Sequence, residues 1–287
     1  MAAGRRRGRW LGRLALAPAL ALILVFFVAL TLLFRYGFLQ FIPGSLEAGG
    51  FTLANFAQIT QPRYLRWIWD TVALSAWTTL ATLVLAYPIA YALARAPSAL
   101  IRTTILVLTV VPFFTGAIVR AYSWMLVLGN TGFVNAVLIR LGLLAEPHQM
   151  LFTGTAVLVG LVHFSMPVMI LLLAAAISHI DPNVERSAES LGAGPVQRFL
   201  RVTLPLSLPG ILSGSVVVFA WTFSAYPTPE LLGGGRVKMI ANVVADLALD
   251  ALNWPGGAAF ALFSLVVTFL VLAAVLRLTG LTARGHA

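Results

Sequence analysis

Read in windows of about 19 residues, the chain alternates long apolar runs with short polar connections, and six runs qualify as membrane-spanning helices. They are Leu14 to Phe34, Thr71 to Ala94, Thr103 to Leu128, Phe152 to Ser178, Pro209 to Tyr226 and Gly257 to Leu278. A hydrocarbon core about 30 Å thick takes roughly 20 apolar residues per helix, and each run approaches or exceeds that length. The pattern predicts an all-α membrane protein with six transmembrane helices: a basic segment at 1–13, a membrane domain over 14–278 and a tail at 279–287. Pro18, Pro88, Pro112 and Pro167 lie inside these runs, where each removes a backbone donor and is expected to bend its helix.

Arginine placement orients the runs, because short positively charged segments stay on the cytoplasmic side. Segments on the amino-terminal side carry Arg5, Arg6, Arg7, Arg9, Arg13, Arg95, Arg102, Arg186, Arg198, Arg201, Arg277 and Arg284. The opposite connections carry six basic residues, Arg35, Arg63, Arg66, Arg140, Arg236 and Lys238, balanced by Glu47, Asp70, Glu146, Glu230, Asp246 and Asp250. Both termini are therefore expected on the cytoplasmic side of the membrane. Trp67, Trp69, Trp124 and Trp254 fall near outer ends and Trp10 near an inner one, where amphipathic rings are favoured. The first run is too long for a signal sequence, and Arg35-Tyr36-Gly37-Phe38 follows it where a small-residue cleavage site would belong.

Composition agrees: 60% of the 287 residues are hydrophobic and 10% charged, with a mean hydropathy of +0.95. The net charge of +10 does not mark a nucleic-acid binder, because the basic residues are spread over the connections and form no single patch. Cysteine is absent, which excludes disulfides and thiolate metal sites. No histidine or carboxylate pair has metal-ligand spacing, and nothing calls for a cofactor.

One connection is built to fold. Asp181-Pro182 is a helix start, with an acidic cap, proline at the first helical position and Glu185 opposing the dipole in the first turn. Gly192 and Gly194 can end that helix, and Pro195 can open a second one to about Leu204, where Pro205 is expected to stop it. The product is a bent pair of short helices in the cytoplasm. Ser187, Ala188 and Gly192 form a thin flank for another protein, with Leu191 and Phe199 as apolar knobs.

The stretch LGAGPVQRFLRVTLPLSLPG, Leu191 to Gly210, resembles the loop of permeases in binding-protein-dependent ABC importers. That loop reads Glu-Ala-Ala, three residues, Gly, nine residues, Ile or Val, one residue, Leu-Pro. Gly192 and Val202-Thr203-Leu204-Pro205 sit at that spacing, whereas the Glu-Ala-Ala positions are Arg186, Ser187 and Ala188, with a glutamate one place earlier at Glu185. Val119-Arg120-Ala121-Tyr122-Ser123-Trp124, Ala225-Tyr226-Pro227-Thr228-Pro229 with Leu231-Leu232-Gly233-Gly234, and Asn253-Trp254-Pro255 are similar to the spermidine/putrescine-type branch.

The resemblance implies a type I importer permease, in which two permease subunits, identical or related, form the pathway. Two cytoplasmic ATPases drive it and an external binding protein delivers the solute, with the loop docking on the ATPase. It assigns coupling to Glu185, Arg186, Ser187, Ala188, Leu191, Gly192, Phe199, Val202, Leu204 and Pro205. Arg120, Tyr122, Trp221 and Tyr226 are its pathway candidates. The outer-side segment Leu231 to Gly234 and Trp254-Pro255 are expected to border the mouth that receives the binding protein.

Other features weigh less. Arg120 lies deep enough to imply either pairing inside the bundle or snorkelling to the headgroups. His163 is expected to make an inter-helix hydrogen bond and not to relay protons, since no carboxylate chain accompanies it. Gly233-Gly234-Gly235 lacks the Gly-Lys-Ser/Thr ending of a phosphate loop and reads as a flexible external connection. Glu230, Asp246 and Asp250 read as ordinary surface charge. Ser213 and Ser215 have no histidine in the last two runs to activate them, which disfavours an intramembrane protease. A proton-coupled secondary transporter would need carboxylates near the midplane, and the runs contain none.

Overall fold

The computed structural model describes residues 2–45 and 47–284, with side chains from Ala17 to Ala274 apart from Leu46, and that of Arg277. The side chains of the basic segment 1–13, including Trp10, and those of the tail 279–287 lie outside the described residues. In chain order the helices are α1 (Ala2–Gly37), α2 (Ala54–Ile59), α3 (Pro62–Ala94), α4 (Ala99–Val110), α5 (Ala117–Leu128), α6 (Phe133–Arg140) and α7 (Gly154–Ser178). They continue as α8 (Pro182–Ser190), α9 (Pro195–Arg198), α10 (Leu204–Leu206), α11 (Leu208–Phe223), α12 (Pro227–Gly233), α13 (Ile240–Ala245) and α14 (Trp254–Arg284). Among the described residues five stretches are long and apolar enough to cross a membrane, and Pro195–Leu206 with Leu208–Phe223, bent by 66°, can supply a sixth.

One unit comprises the chain up to Gln61 together with Val244–Phe263. Here α1 exposes Leu22, Leu24, Val25, Phe26 and Phe27 by 60% or more, a surface that only lipid or another apolar partner tolerates. At its end Asn55, itself buried, donates to the carbonyls of Gly37 and Leu39 at 3.0 and 2.8 Å. Gly37 is required by close approach: a Cβ there would meet Leu262 Cδ1 at 2.9 Å.

The other unit comprises Pro62–Val243 and the chain from Ser264. Its centre is α3 packed on α7, with α11 against both. Ala86, Tyr87, Ala90 and Leu93 of α3 meet Met169, Ile170, Leu173 and Ile177 of α7, closed by Ile211 and Val218. Higher on α3, Thr71, Ser75, Thr78 and Thr82 are fully buried at helical spacing, small polar residues of the kind that let membrane helices approach closely. Gly210 and Gly214, four apart on α11, do the same against α7. A Cβ on Gly210 would strike Ala176, and one on Gly214 would meet Met169 Sδ at 2.8 Å.

The third predicted run is not one continuous helix. After α4 the backbone tightens into a 3-10 turn at Val111–Phe114, passes through extended Thr115 and Gly116, and restarts as α5. Pro112 causes this: it lacks the donor for the next helical bond and its ring crowds the preceding turn. The stretch long enough to span is Ala117–Arg140, taken through the turn between α5 and α6. By contrast α3 and α7 run on through Pro88 and Pro167. The α3 helix also begins at Pro62, well before the predicted Thr71.

Candidate functional site

The loop after α7 folds as a bent pair of helices. Asp181 Oδ1 accepts from Asn183 N at 2.9 Å, and Pro182 occupies the first turn of α8. Gly192 ends that arm with φ +86°, a left-handed conformation that β-branched residues resist, and Pro195 opens α9. The second arm does not stop at Pro205. A π turn spans Phe199–Thr203, with Leu204 N donating to Phe199 O, and the helix continues to Leu206. The wider turn makes room for a proline ring that would otherwise collide with the carbonyl four residues back, so the sharp bend falls at Ser207.

Glu185 does not face outward. It is 6% exposed, and its Oε2 lies 3.2 Å from Arg95 Nε at the end of α3. Its Oε1 accepts from Thr203 Oγ1 at 3.0 Å and from Arg95 Nη2 at 3.3 Å. Arg95 Nη2 also donates to Ile180 O at 3.0 Å. One carboxylate thus joins α3, α8 and the π turn. The expectation that Glu185 belongs to the docking face is corrected, because it is spent inside the subunit. Phe199, expected on the same face, is half-buried: its ring packs edge-on to Tyr87, centroids 5.3 Å apart, against the α3–α7 core.

The outward surface is made by other predicted residues. Leu191 is 89% exposed, Arg186, Ser187, Gly192 and Pro205 are exposed, and Ala188, Val202 and Leu204 are half-buried. Val196 and Leu200, not predicted, add to it as exposed apolar side chains of the second arm. Arg198 and Glu189 pair at 2.7 Å and tie the two arms at the surface, a contact of about 0–1 kcal/mol in such a position.

Among the pathway candidates the structure brings Arg120 and Trp221 into one cluster. Arg120 is 6% exposed and does not snorkel. Its Nη2 donates to the carbonyls of Pro112, Phe113 and Thr115 at 3.0, 3.3 and 2.6 Å. Pro112 O also accepts from Thr115 N at 3.2 Å, closing the 3-10 turn; at the break Arg120 supplies these carbonyls with a donor that lipid cannot. The guanidinium lies 4.9 Å from the Phe164 ring centroid. Trp221 stands edge-on to Phe164 at 5.0 Å and to Phe113 at 6.0 Å. Beside them Trp124 Nε1 donates to His163 Nδ1 at 3.2 Å, the inter-helix bond expected of His163. Tyr122 and Tyr226 stay apart, on exposed positions of α5 and at the head of α12.

The triglycine segment is packed at its start and exposed at its end. Leu232 and Gly233 are buried on α7, with a Cβ on Gly233 3.4 Å from Val157 Cγ2. Gly234 takes φ +53° against the ring of Phe152. Glu230 Oε2 accepts from Asn242 Nδ2 at 2.7 Å, Asn242 Oδ1 accepts from Met239 N, and Ile240 N donates to Thr71 Oγ1 at 2.9 Å. Paired backbone and buried apolar side chains hold α12 and α13 in place, so only Gly234, Gly235 and Arg236 reach the surface fully. Among the described residues no group of His, Cys, Asp and Glu could hold a metal.

An all-helical membrane subunit with a folded two-arm loop and a broken span is the architecture of an importer permease. The chain belongs to the family described as "Binding-protein-dependent transport system inner membrane component", which matches residues 50–280. It is 34% identical to the spermidine/putrescine transport system permease protein PotB of Haemophilus influenzae over 238 residues, 82% of this chain and 83% of the relative. It is 30% identical to the inner membrane ABC transporter permease protein YdcU of Escherichia coli over 284 residues, 94% of this chain and 90% of the relative. The fold matches a bacterial alginate ABC transporter solved with an alginate pentasaccharide-bound periplasmic protein. There the TM-score is 0.79 at 20% identity, covering 95% of this chain and 94% of that one.

Proposed function

We propose that this chain is the pathway-forming subunit of an ATP-driven importer for a polyamine or a similar small solute, with no catalytic site of its own. The observation that carries this reading is the two-arm loop. It presents Leu191 and Val196 to a partner at 89% and 71% exposure, while its base is fixed to α3 through Glu185 and Arg95. A rigid apolar lever of this kind suits a docking element that must distinguish two states of a cytoplasmic ATPase. The polyamine class rests on the spermidine/putrescine naming of relatives at 34% identity.

In this reading the membrane domain spans 14–278 and the docking loop 181–205, between cytoplasmic segments 1–13 and 279–287. An external binding protein approaches the opposite side near Gly234–Arg236. A second permease subunit, the same chain or a related one, completes the pathway, with Arg120 and Trp221 on this subunit's wall. The test is reconstitution with a cognate ATPase and binding protein. ATP-dependent uptake of radiolabelled putrescine or spermidine is expected. Uptake driven by a proton gradient without ATP would overturn the reading in favour of a secondary transporter.

A further inference from the structure

Two clefts lie on either side of the break between α4 and α5. One, of about 260 Å³, is lined by Thr115, Arg120, Ser123, Trp124 and Val127. The other, of about 300 Å³, is lined by Ile89, Ile105, Thr109, Met166 and Ile170. The first presents a cation, a hydroxyl and an indole, and the second is almost wholly apolar. Pro112 and His163 line both. The broken backbone and the histidine it faces are therefore a partition between a polar cleft in the α5 half and an apolar one in the α4 half.

What holds the partition is Arg120. One guanidinium nitrogen binds three carbonyls of the break, its Cζ lies over the ring of Phe164 of α7, and Phe164 and Phe113 both abut Trp221 of α11. Among the described residues no carboxylate forms an ion pair with this buried cation. Its partners are backbone dipoles and a ring face, groups that release it when the backbone geometry changes. The α11 helix is the continuation, through the 66° bend, of the second arm of the docking loop. Displacement of that arm reaches Trp221 through the bend at Ser207 and then along α11.

We propose that Arg120 is a positioning residue for transport: it latches the break shut between the two clefts, and movement of α11 at Trp221 releases it so that the clefts join. The proposal rests on the importer reading for its purpose, and its geometry can be tested separately. The latch needs a side chain long enough to place Nη2 among the three carbonyls while Cζ lies over the Phe164 ring; a lysine ammonium sits one bond nearer the backbone and has no second group to place over the ring.

The chain has no cysteine, so Thr109→Cys places one thiol in the apolar cleft and Ser123→Cys one in the polar cleft. The assembled importer in proteoliposomes, without ATP, is treated with a membrane-impermeant maleimide from the side at which α5 ends. Thr109→Cys alone should label slowly. Combined with Arg120→Lys it should label at least tenfold faster, and with Phe164→Leu about threefold faster, while Ser123→Cys labels equally in all three backgrounds. Thr109→Cys rates within twofold of the parent in both the Arg120→Lys and the Phe164→Leu backgrounds overturn the latch. Failure of the docking reading would appear elsewhere, as ATPase lost or retained in pull-downs irrespective of labelling.

Discussion

Arg95 and Glu185 meet at 3.2 Å where the end of α3 touches the first arm of the docking loop. The pair is largely buried; Thr203 Oγ1 also donates to Glu185 Oε1, and Ile180 O accepts from Arg95 Nη2. It makes the loop an extension of the α3–α7 core and not a tether between spans.

Removing one partner of such a pair leaves a buried charge without compensation, at a cost of about 3–5 kcal/mol. Glu185→Ala is therefore expected to lower the thermal stability of the detergent-purified chain sharply. The double variant Arg95→Met, Glu185→Met should recover most of the loss, since an apolar pair of similar volume leaves no orphan charge. Thermal unfolding followed by fluorescence checks it; strictly additive losses would show that the pair does not act as a unit.

Docking and folding should separate at two positions of one loop. Leu191, almost fully exposed, is expected to tolerate Leu191→Asp with normal membrane abundance but lost co-purification of the ATPase. Phe199→Ala should instead destabilise the chain by about 0.5–3 kcal/mol, because its half-buried ring packs against the core beside Tyr87. Pull-down and membrane abundance, measured together, distinguish the two, and a Leu191→Asp variant that still binds the ATPase would move the contact elsewhere.

Gly192 gives a graded test. Nothing lies within 4 Å of a Cβ built there, and φ is +86°, so any penalty comes from backbone conformation. Gly192→Val should cost about 1–3 kcal/mol locally, reshape the junction between the arms and abolish uptake without blocking insertion. Gly192→Asn, which tolerates the left-handed region better, should keep a substantial fraction of transport. Equal uptake by both variants would mean that this angle does not matter to docking.

Close helix approach predicts a fourth outcome. Gly210 faces Ala176 with no room for a Cβ, so Gly210→Leu should force α11 from α7 and cost at least about 1–3 kcal/mol. Gly194→Leu, at a position with nothing within 4 Å, is the matched control. Protease resistance of the purified variants reads the difference; comparable resistance would refute tight packing at Gly210.

Much of this protein was legible in one dimension, for a physical reason. Lipid enforces long apolar runs, so helix number and the boundaries of α7 follow from composition. Cap chemistry at Asp181-Pro182, the turn at Gly192 and the opening at Pro195 are local effects that need no partner. What lay beyond the sequence depends on contacts between distant residues. Glu185 has the spacing of an exposed loop residue and became internal because Arg95, at the end of α3, stands beside it. Phe199 was turned inward by Tyr87, and Pro205 was absorbed because a π turn could widen ahead of it. The three glycines after Leu232 have the composition of a flexible connection, yet the first two pack against Val157 and Phe152, and only Gly235 stands clear. Arg120 could have snorkelled by its position alone. Only the break at Pro112 supplied three carbonyls within reach of its guanidinium, and only the packing of α7 and α11 set Phe164 and Trp221 around it.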